Sequence, residues 1–291
     1  MVRHGTRRFR AAGLAYGHGT ANARDEAACL ALHALGLKPD APARILERRV
    51  EPAAVARVLR LFERRLRERK PAAYLTHTAW LAELRFYVDE RAIVPRSHIA
   101  GLLRARLAPW IAGAGGVRTA LDLCTGSGCL AILLARCFPR ARITASDISR
   151  PALAVARRNV RDYRLTRRIR LIESDLFAGL AGKRYDLIVC NPPYVTARAM
   201  RRLPREYRHE PRAALAGGKD GLDLVRRILA AAGRHLHARG LLVVEVGAGR
   251  GAVEKAFPRL PFTWPDTSGG GDVFVLAREQ LAAAAPATRA R

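Results

Sequence analysis

Apolar residues recur at threes and fours over residues 25–35 and 53–67, with Arg and Glu between them, which places one apolar stripe on each of two helices. Breaks at Lys38-Pro39-Asp40-Ala41-Pro42 and Lys70-Pro71 separate the helical stretches, and residues 1–10 read as the start of the first. Residues 84–94 read as two short strands around an acidic turn at Asp89-Glu90, a hairpin leading onward. From residue 117 the texture changes. Short apolar runs at 120–123, 143–146, 169–172, 186–190 and 241–246 alternate with helical stretches of ten or more residues. Runs without polar alternation suit strands covered on both faces. With helices between them they predict an α/β fold, a mostly parallel, doubly wound sheet. Residues 262–264 and 272–276, around Gly269-Gly270-Gly271, read as a closing hairpin, and the alanine-rich tail 281–291 is expected to fray. The expected division is a helical unit over 1–83, a hairpin linker over 84–105 and an α/β domain over 106–291.

Length and composition narrow the class. At 291 residues the chain suits one large and one small domain, with 49% hydrophobic and 26% charged residues, an ordinary globular balance. No apolar run reaches the roughly 18 residues that a membrane span needs. The charge is the departure: 52 Lys and Arg stand against 25 Asp and Glu, and all but five of the 52 are arginines. Such a surface attracts RNA, DNA or anionic lipid without reading a sequence, yet arginine richness also follows from codon composition, so the charge by itself establishes no partner. The five cysteines are odd in number and contain no Cys-x-x-Cys pair, which argues against a disulfide framework or structural zinc and for a reducing cytoplasm; no metal is expected.

In a doubly wound sheet, ligands sit beyond the carboxyl ends of the strands. The first apolar strand runs into Cys124-Thr125-Gly126-Ser127-Gly128, a loop whose glycines let the backbone approach a ligand. The second ends at Asp147, a carboxylate able to accept from a ribose diol, with Ser149 and Pro151 supplying the helix start after it. Both features suit NAD and S-adenosylmethionine equally. The fourth strand ends in Asn191-Pro192-Pro193-Tyr194. Two prolines cannot continue a sheet, so the chain leaves it rigidly and presents an amide and an aromatic ring beside the pocket. This tetrapeptide resembles the signature of S-adenosylmethionine-dependent methyltransferases that act on planar nitrogens.

The match extends further. Asn191 to Tyr194, the loop Leu121-Asp122-Leu123-Cys124-Thr125-Gly126-Ser127-Gly128-Cys129, and Phe86-Tyr87-Val88-Asp89-Glu90-Arg91 with Val94-Pro95-Arg96-Ser97 together resemble the protein-glutamine N(5)-methyltransferase family. Cys124, Tyr16-Gly17-His18-Gly19-Thr20 and Glu206-Tyr207-Arg208-His209-Glu210-Pro211 favour its branch acting on the third protein of the large ribosomal subunit. The resemblance implies a Rossmann-like methyltransferase domain beside a helical substrate-recognition domain, with S-adenosyl-L-methionine as cofactor. It implies that Cys124, Thr125, Gly126, Ser127, Gly128 and Asp147 hold the cofactor with Asn191, and that Asp175 and Leu176 edge its adenine. Asn191, Pro192, Pro193 and Tyr194 hold the substrate, Asn191, Pro192 and Tyr194 being catalytic: the Asn191 oxygen and the Pro192 carbonyl accept the two amide hydrogens of the glutamine.

Two departures from the family are expected: the chain starts inside its first helix, and His98 stands where a proline belongs. Glu210 either holds a loop over the substrate or pairs with an arginine, and His18 caps the first helix pair. The implied partners are a large-subunit ribosomal protein and RNA, through the arginine-rich surface. A basic target arriving free would be repelled unless Asp89, Glu90 and Glu206 reverse the positive potential locally. Other readings keep different targets, a release factor or a flipped adenine in nucleic acid, or drop catalysis for a ribosome-assembly factor that binds RNA.

Overall fold

The computed structural model describes all residues except 39, 40, 43, 46–48, 114, 268 and 284–291. The break expected at 38–42 and the fraying tail therefore lie partly outside the described residues. Three helices open the chain: α1 (Val2–Ala11), α2 (Ala23–Ala34) and α3 (Pro52–Glu68). Two of them begin on local chemistry. The Asn22 side chain accepts from the backbone of Arg24 and Asp25 at 2.9 and 3.0 Å, capping α2, and Pro52 opens α3 where no N–H is needed. Their apolar stripes meet around Phe9, Leu30, Val58 and Phe62, all fully buried, with Phe9 and Phe62 edge to face at 5.2 Å. The short helix α4 (Ala72–Thr76) follows.

The hairpin lies earlier than its sequence pattern suggested. Strands β1 (Ala79–Leu81) and β2 (Leu84–Phe86) pair antiparallel, while residues 87–94 are irregular. The turn residues Ala82 and Glu83 both have positive φ, 48° and 67°. Such a turn usually announces itself with Asn-Gly, and an Ala-Glu pair gives no such signal. Asp89-Glu90 instead folds into a tight turn in which Ala92 N–H donates to the Asp89 carbonyl at 3.1 Å.

After α5 (Ile99–Arg104) comes the doubly wound part: β3 (Thr119–Leu123), α6 (Cys129–Cys137), β4 (Arg142–Asp147), α7 (Arg150–Asp162), β5 (Ile169–Glu173), β6 (Tyr185–Cys190), α8 (Ala197–Met200), α9 (Asp223–Ala232), β7 (Leu236–Gly247), α10 (Arg250–Ala256), β8 (Asp272–Ala277) and α11 (Arg278–Ala283). The six-stranded sheet has the order β5-β4-β3-β6-β7-β8, parallel except for β8. Burial on both faces explains the unbroken apolar runs. One face packs on α5 and α6 through Ile99, Leu103, Leu130 and Leu134, the other on α9 through Val225 and Ile228. The closing hairpin expected from 262–264 and 272–276 is not formed as such. Here β8 pairs with β7 along its length, and Thr263 contributes one isolated bridge to Val275. The chain winds outward from β3 to β5 and returns to β6, so the switch point lies between β3 and β6.

Candidate active site

A cavity of about 700 Å³ opens at that switch point. Each strand end contributes. From β3 come Cys124 and Gly126; from β4, Asp147, Ile148 and Ser149; after β5, Ser174, Asp175 and Leu176; after β6, Asn191, Pro192, Pro193 and Tyr194. These include most residues singled out from the sequence. Thr125, Ser127 and Gly128 do not line the cavity. Thr125 and Ser127 are buried and build the loop from behind: the Thr125 hydroxyl donates to Asp122, and the Ser127 carbonyl accepts from Asn159 Nδ2 at 2.9 Å. Gly128 caps the start of α6.

The carboxylate at the end of β4 organises the loop. Asp147 accepts from Gly126 N–H and Ser149 N–H, both at 2.8 Å. Burial raises its pKa above the ordinary aspartate value, these backbone donors opposing the shift. Asp122, fully buried beneath the loop, accepts from Ala131 N–H at 2.9 Å, and burial pushes its carboxyl up to about 7. Ile148, 63% exposed, is a large apolar side chain left open at the rim. Asp175 pairs with Arg227 at 2.8 Å.

On the opposite wall the Asn191 amide is anchored: Nδ2 donates to the Arg96 carbonyl at 3.1 Å. The segment carrying that carbonyl is held by two buried carboxylates. Glu210 accepts both guanidinium arms of Arg96, at 2.7 and 2.6 Å, and Val94 N–H at 3.1 Å. Glu245 on β7 accepts the Ser97 hydroxyl at 2.6 Å and His98 N–H at 2.8 Å. A proline at position 98 would lack that last donor. The Tyr194 ring covers Gly247, whose φ is +63° and where a Cβ would stand 2.6 Å from the ring; burial pushes the Tyr194 hydroxyl up to about 12.

One electrostatic alternative holds, one expectation is corrected and one condition is not met. Glu210 pairs with Arg96. His18 caps no helix; it lies against the Tyr207 ring, centroids 4.2 Å apart, with Nε2 3.5 Å from Glu210. The acidic groups do not reverse the potential, because each is already matched: Asp89 with Arg91, Glu90 with Lys70, and the buried Glu206 with Arg65 and Arg69. Sequence reasoning gave no role to Arg96, Ile148 or Tyr207, all of which line the cavity. Arg96 and Tyr207 fell inside motifs already noticed; Ile148, apolar and directly after a ligand-facing carboxylate, was readable from its position.

This sheet, its switch-point cavity and an Asn-Pro-Pro-Tyr wall define a Rossmann-like methyltransferase. Residues 111–206 match the methyltransferase small domain family, and the fold is shared with the hMettl16 catalytic domain in complex with a MAT2A 3'UTR hairpin, at TM-score 0.51 and 14% identity over 78% of this chain and 82% of that one. Two curated relatives are similar over nearly their whole length. The ribosomal protein uL3 glutamine methyltransferase of Neisseria meningitidis serogroup A is 55% identical, covering 97% of this chain and 93% of the relative. That of Bordetella pertussis is 54% identical over 97% and 95%. The chain belongs to the ribosomal protein uL3 glutamine methyltransferase family. Among the described residues no helix is long and apolar enough to cross a membrane.

Proposed function

We propose that this chain methylates the side-chain amide nitrogen, N5, of a glutamine in ribosomal protein uL3, in the cytoplasm, with S-adenosyl-L-methionine as donor. The bound cofactor supplies an electrophilic methyl group on a sulfonium centre. The residues present fit it. Asp147 offers carboxylate oxygens to a ribose diol, Ile148 and Leu176 give apolar surface for a purine, and the turn at Cys124–Gly126 brings backbone to the cavity wall.

The chain's own part in the reaction is positioning. An amide nitrogen is a poor nucleophile because its lone pair is delocalised into the carbonyl. With Nδ2 of Asn191 committed to the Arg96 carbonyl, its oxygen remains as an acceptor. That oxygen and the Pro192 carbonyl accept from the two N–H groups of the glutamine amide, which fixes the nitrogen's line of attack, and one of those hydrogens is lost as a proton when the nitrogen takes the methyl group. Neither proline has an N–H, so the corner cannot be drawn back into the sheet. Tyr194, braced on Gly247, lines the approach and helps exclude water. The helical unit over residues 1–83 is assigned to recognition of the protein substrate.

The observation that carries this reading is the anchored Asn191 amide at the cavity wall. Incubation with labelled cofactor and, separately, uL3, a release factor and nucleic acid is expected to label a uL3 glutamine. Asn191→Ala is expected to keep cofactor affinity and lose most of the rate. Label on nucleic acid or release factor alone, or normal turnover by Asn191→Ala, would overturn the reading.

A further inference from the structure

The segment after the Asn-Pro-Pro-Tyr corner sorts its charges by direction. It carries six arginines, Arg198, Arg201, Arg202, Arg205, Arg208 and Arg212, and two carboxylates, Glu206 and Glu210. Both glutamates are buried and turned inward, onto Arg65, Arg69 and Arg96. All six arginines are exposed, and among the described residues none makes a side-chain hydrogen bond or ion pair. Leu203, Tyr207 and Pro211 of the same segment line the cavity, so the guanidinium groups stand on the outer side of its acceptor wall. Arginines on the cofactor side of the cavity are matched: Arg91 with Asp89, Arg150 with Glu173, Arg227 with Asp175. Codon composition scatters arginine along a chain; it gives no reason for one rim of a cavity to be neutralised and the other left bare.

We propose that this arginine rim docks the phosphate backbone of RNA, so that the glutamine is presented by a protein in contact with RNA. The inference rests on the cavity being the methylation site for a ribosomal protein. Six unpaired guanidiniums repel a basic protein arriving alone. A regularly spaced polyanion neutralises them, and the guanidinium fork matches phosphate oxygens. None of the exposed side chains between the arginines is aromatic, and Tyr207 lies against His18, so the rim grips backbone and does not stack bases.

The test compares two charge reversals on the full chain. The rim variant carries Arg201→Glu, Arg202→Glu and Arg205→Glu. The control carries Arg157→Glu, Arg164→Glu and Arg167→Glu, also exposed and placed on α7 and the loop after it. The probe is an RNA hairpin of about 20 nucleotides with unrelated sequence, followed by fluorescence anisotropy across a salt series. Each lost phosphate contact lowers the slope of log affinity against log salt by about 0.7–0.9. The rim variant is expected to bind at least tenfold more weakly, with a slope smaller by about 2, and the control to stay within threefold of the parent.

Equal losses in both variants would reduce the effect to net charge and overturn the proposal, as would unchanged RNA affinity in the rim variant. Methyl transfer to free uL3 is measured alongside, without RNA. A rim variant whose KM for free uL3 rises by the same factor as its RNA dissociation constant would put an acidic protein segment, not RNA, on the rim. If the parent itself labels no uL3, the methylation reading fails separately, whatever the RNA affinities are.

Discussion

Replacing Glu210 by glutamine tests how the acceptor wall is held. The carboxylate is buried, 4% exposed, and meets Arg96 through both arms, Val94 through its N–H, and His18. Burial alone pushes its pKa up; hydrogen bonds and charge from His18 and Arg96 outweigh that and bring it from its ordinary 4.5 to about 2. At about 1.4 kcal/mol per pH unit that drop corresponds to about 3 kcal/mol of native-state stability. Removing one partner of a fully buried ion pair costs about 3–5 kcal/mol; the Arg96 side chain keeps 27% exposure, so its unmatched charge reaches water and the loss sits at the low end of that range. Glutamine still accepts from Val94 but strands the Arg96 guanidinium. Urea unfolding at pH 7 is therefore expected to show a loss of about 3 kcal/mol.

The pH dependence follows from the sign of the shift. A depressed carboxyl stabilises the fold above its unfolded value of about 4.5, and that contribution is lost as pH falls through about 2. The gap between parent and Glu210→Gln should close on acidification. Because the Arg96 carbonyl orients Asn191, kcat should also fall while cofactor affinity holds. A loss below 1 kcal/mol at pH 7, or a gap that does not change between pH 5 and 2, would refute this account.

Asp147→Ala is expected to weaken cofactor binding by about 1.5–3 kcal/mol, the usual worth of a hydrogen bond to a charged group. Since burial raises the Asp147 pKa, the parent's affinity in calorimetry should begin to fall on acidification at a higher pH than an ordinary aspartate gives; affinity flat down to pH 4 would remove Asp147 from the site. Asp122, with its carboxyl raised to about 7, binds its proton more tightly in the native chain than in the unfolded one. Its contribution is complete below about 3.8 and lost as pH rises through 7. The parent should thus lose more Tm between pH 5 and 8 than Asp122→Asn, and parallel curves would contradict this. Gly247→Ala puts a methyl group 2.6 Å from the Tyr194 ring at a φ that favours glycine, so denaturation should show a loss of about 1–3 kcal/mol with reduced kcat. Unchanged stability and rate would mean that the ring is not braced there.

Local pattern carried much of this protein. The strands at 119–123, 142–147, 169–173 and 185–190 were legible as apolar runs because a sheet covered on both faces needs no alternation, and Asn191-Pro192-Pro193-Tyr194 was legible because prolines cannot continue a strand. Where a local signal was missing, the reading slipped. The β1–β2 turn uses Ala82 and Glu83 at positive φ, which no turn propensity marks. Which charged side chains are buried, and what they pair with, could not be read at all. Tyr16 to Thr20 and Glu206 to Pro211 stood out as separate motifs, nearly two hundred residues apart, yet they meet through His18 on Tyr207 and Glu210, and the adjoining Ala15 N–H donates to Glu206.

The sequence by itself therefore determined the fold class and the strand-end loops that surround a ligand, since periodicity and backbone restriction act over a few residues. Only the tertiary structure decided which charges neutralise one another. It turned Glu206 from an acidic patch into an internal brace, chose an arginine partner for Glu210, and left one rim of arginines bare. Ion pairing depends on distance through space and on desolvation, neither of which is written in the order of residues along the chain.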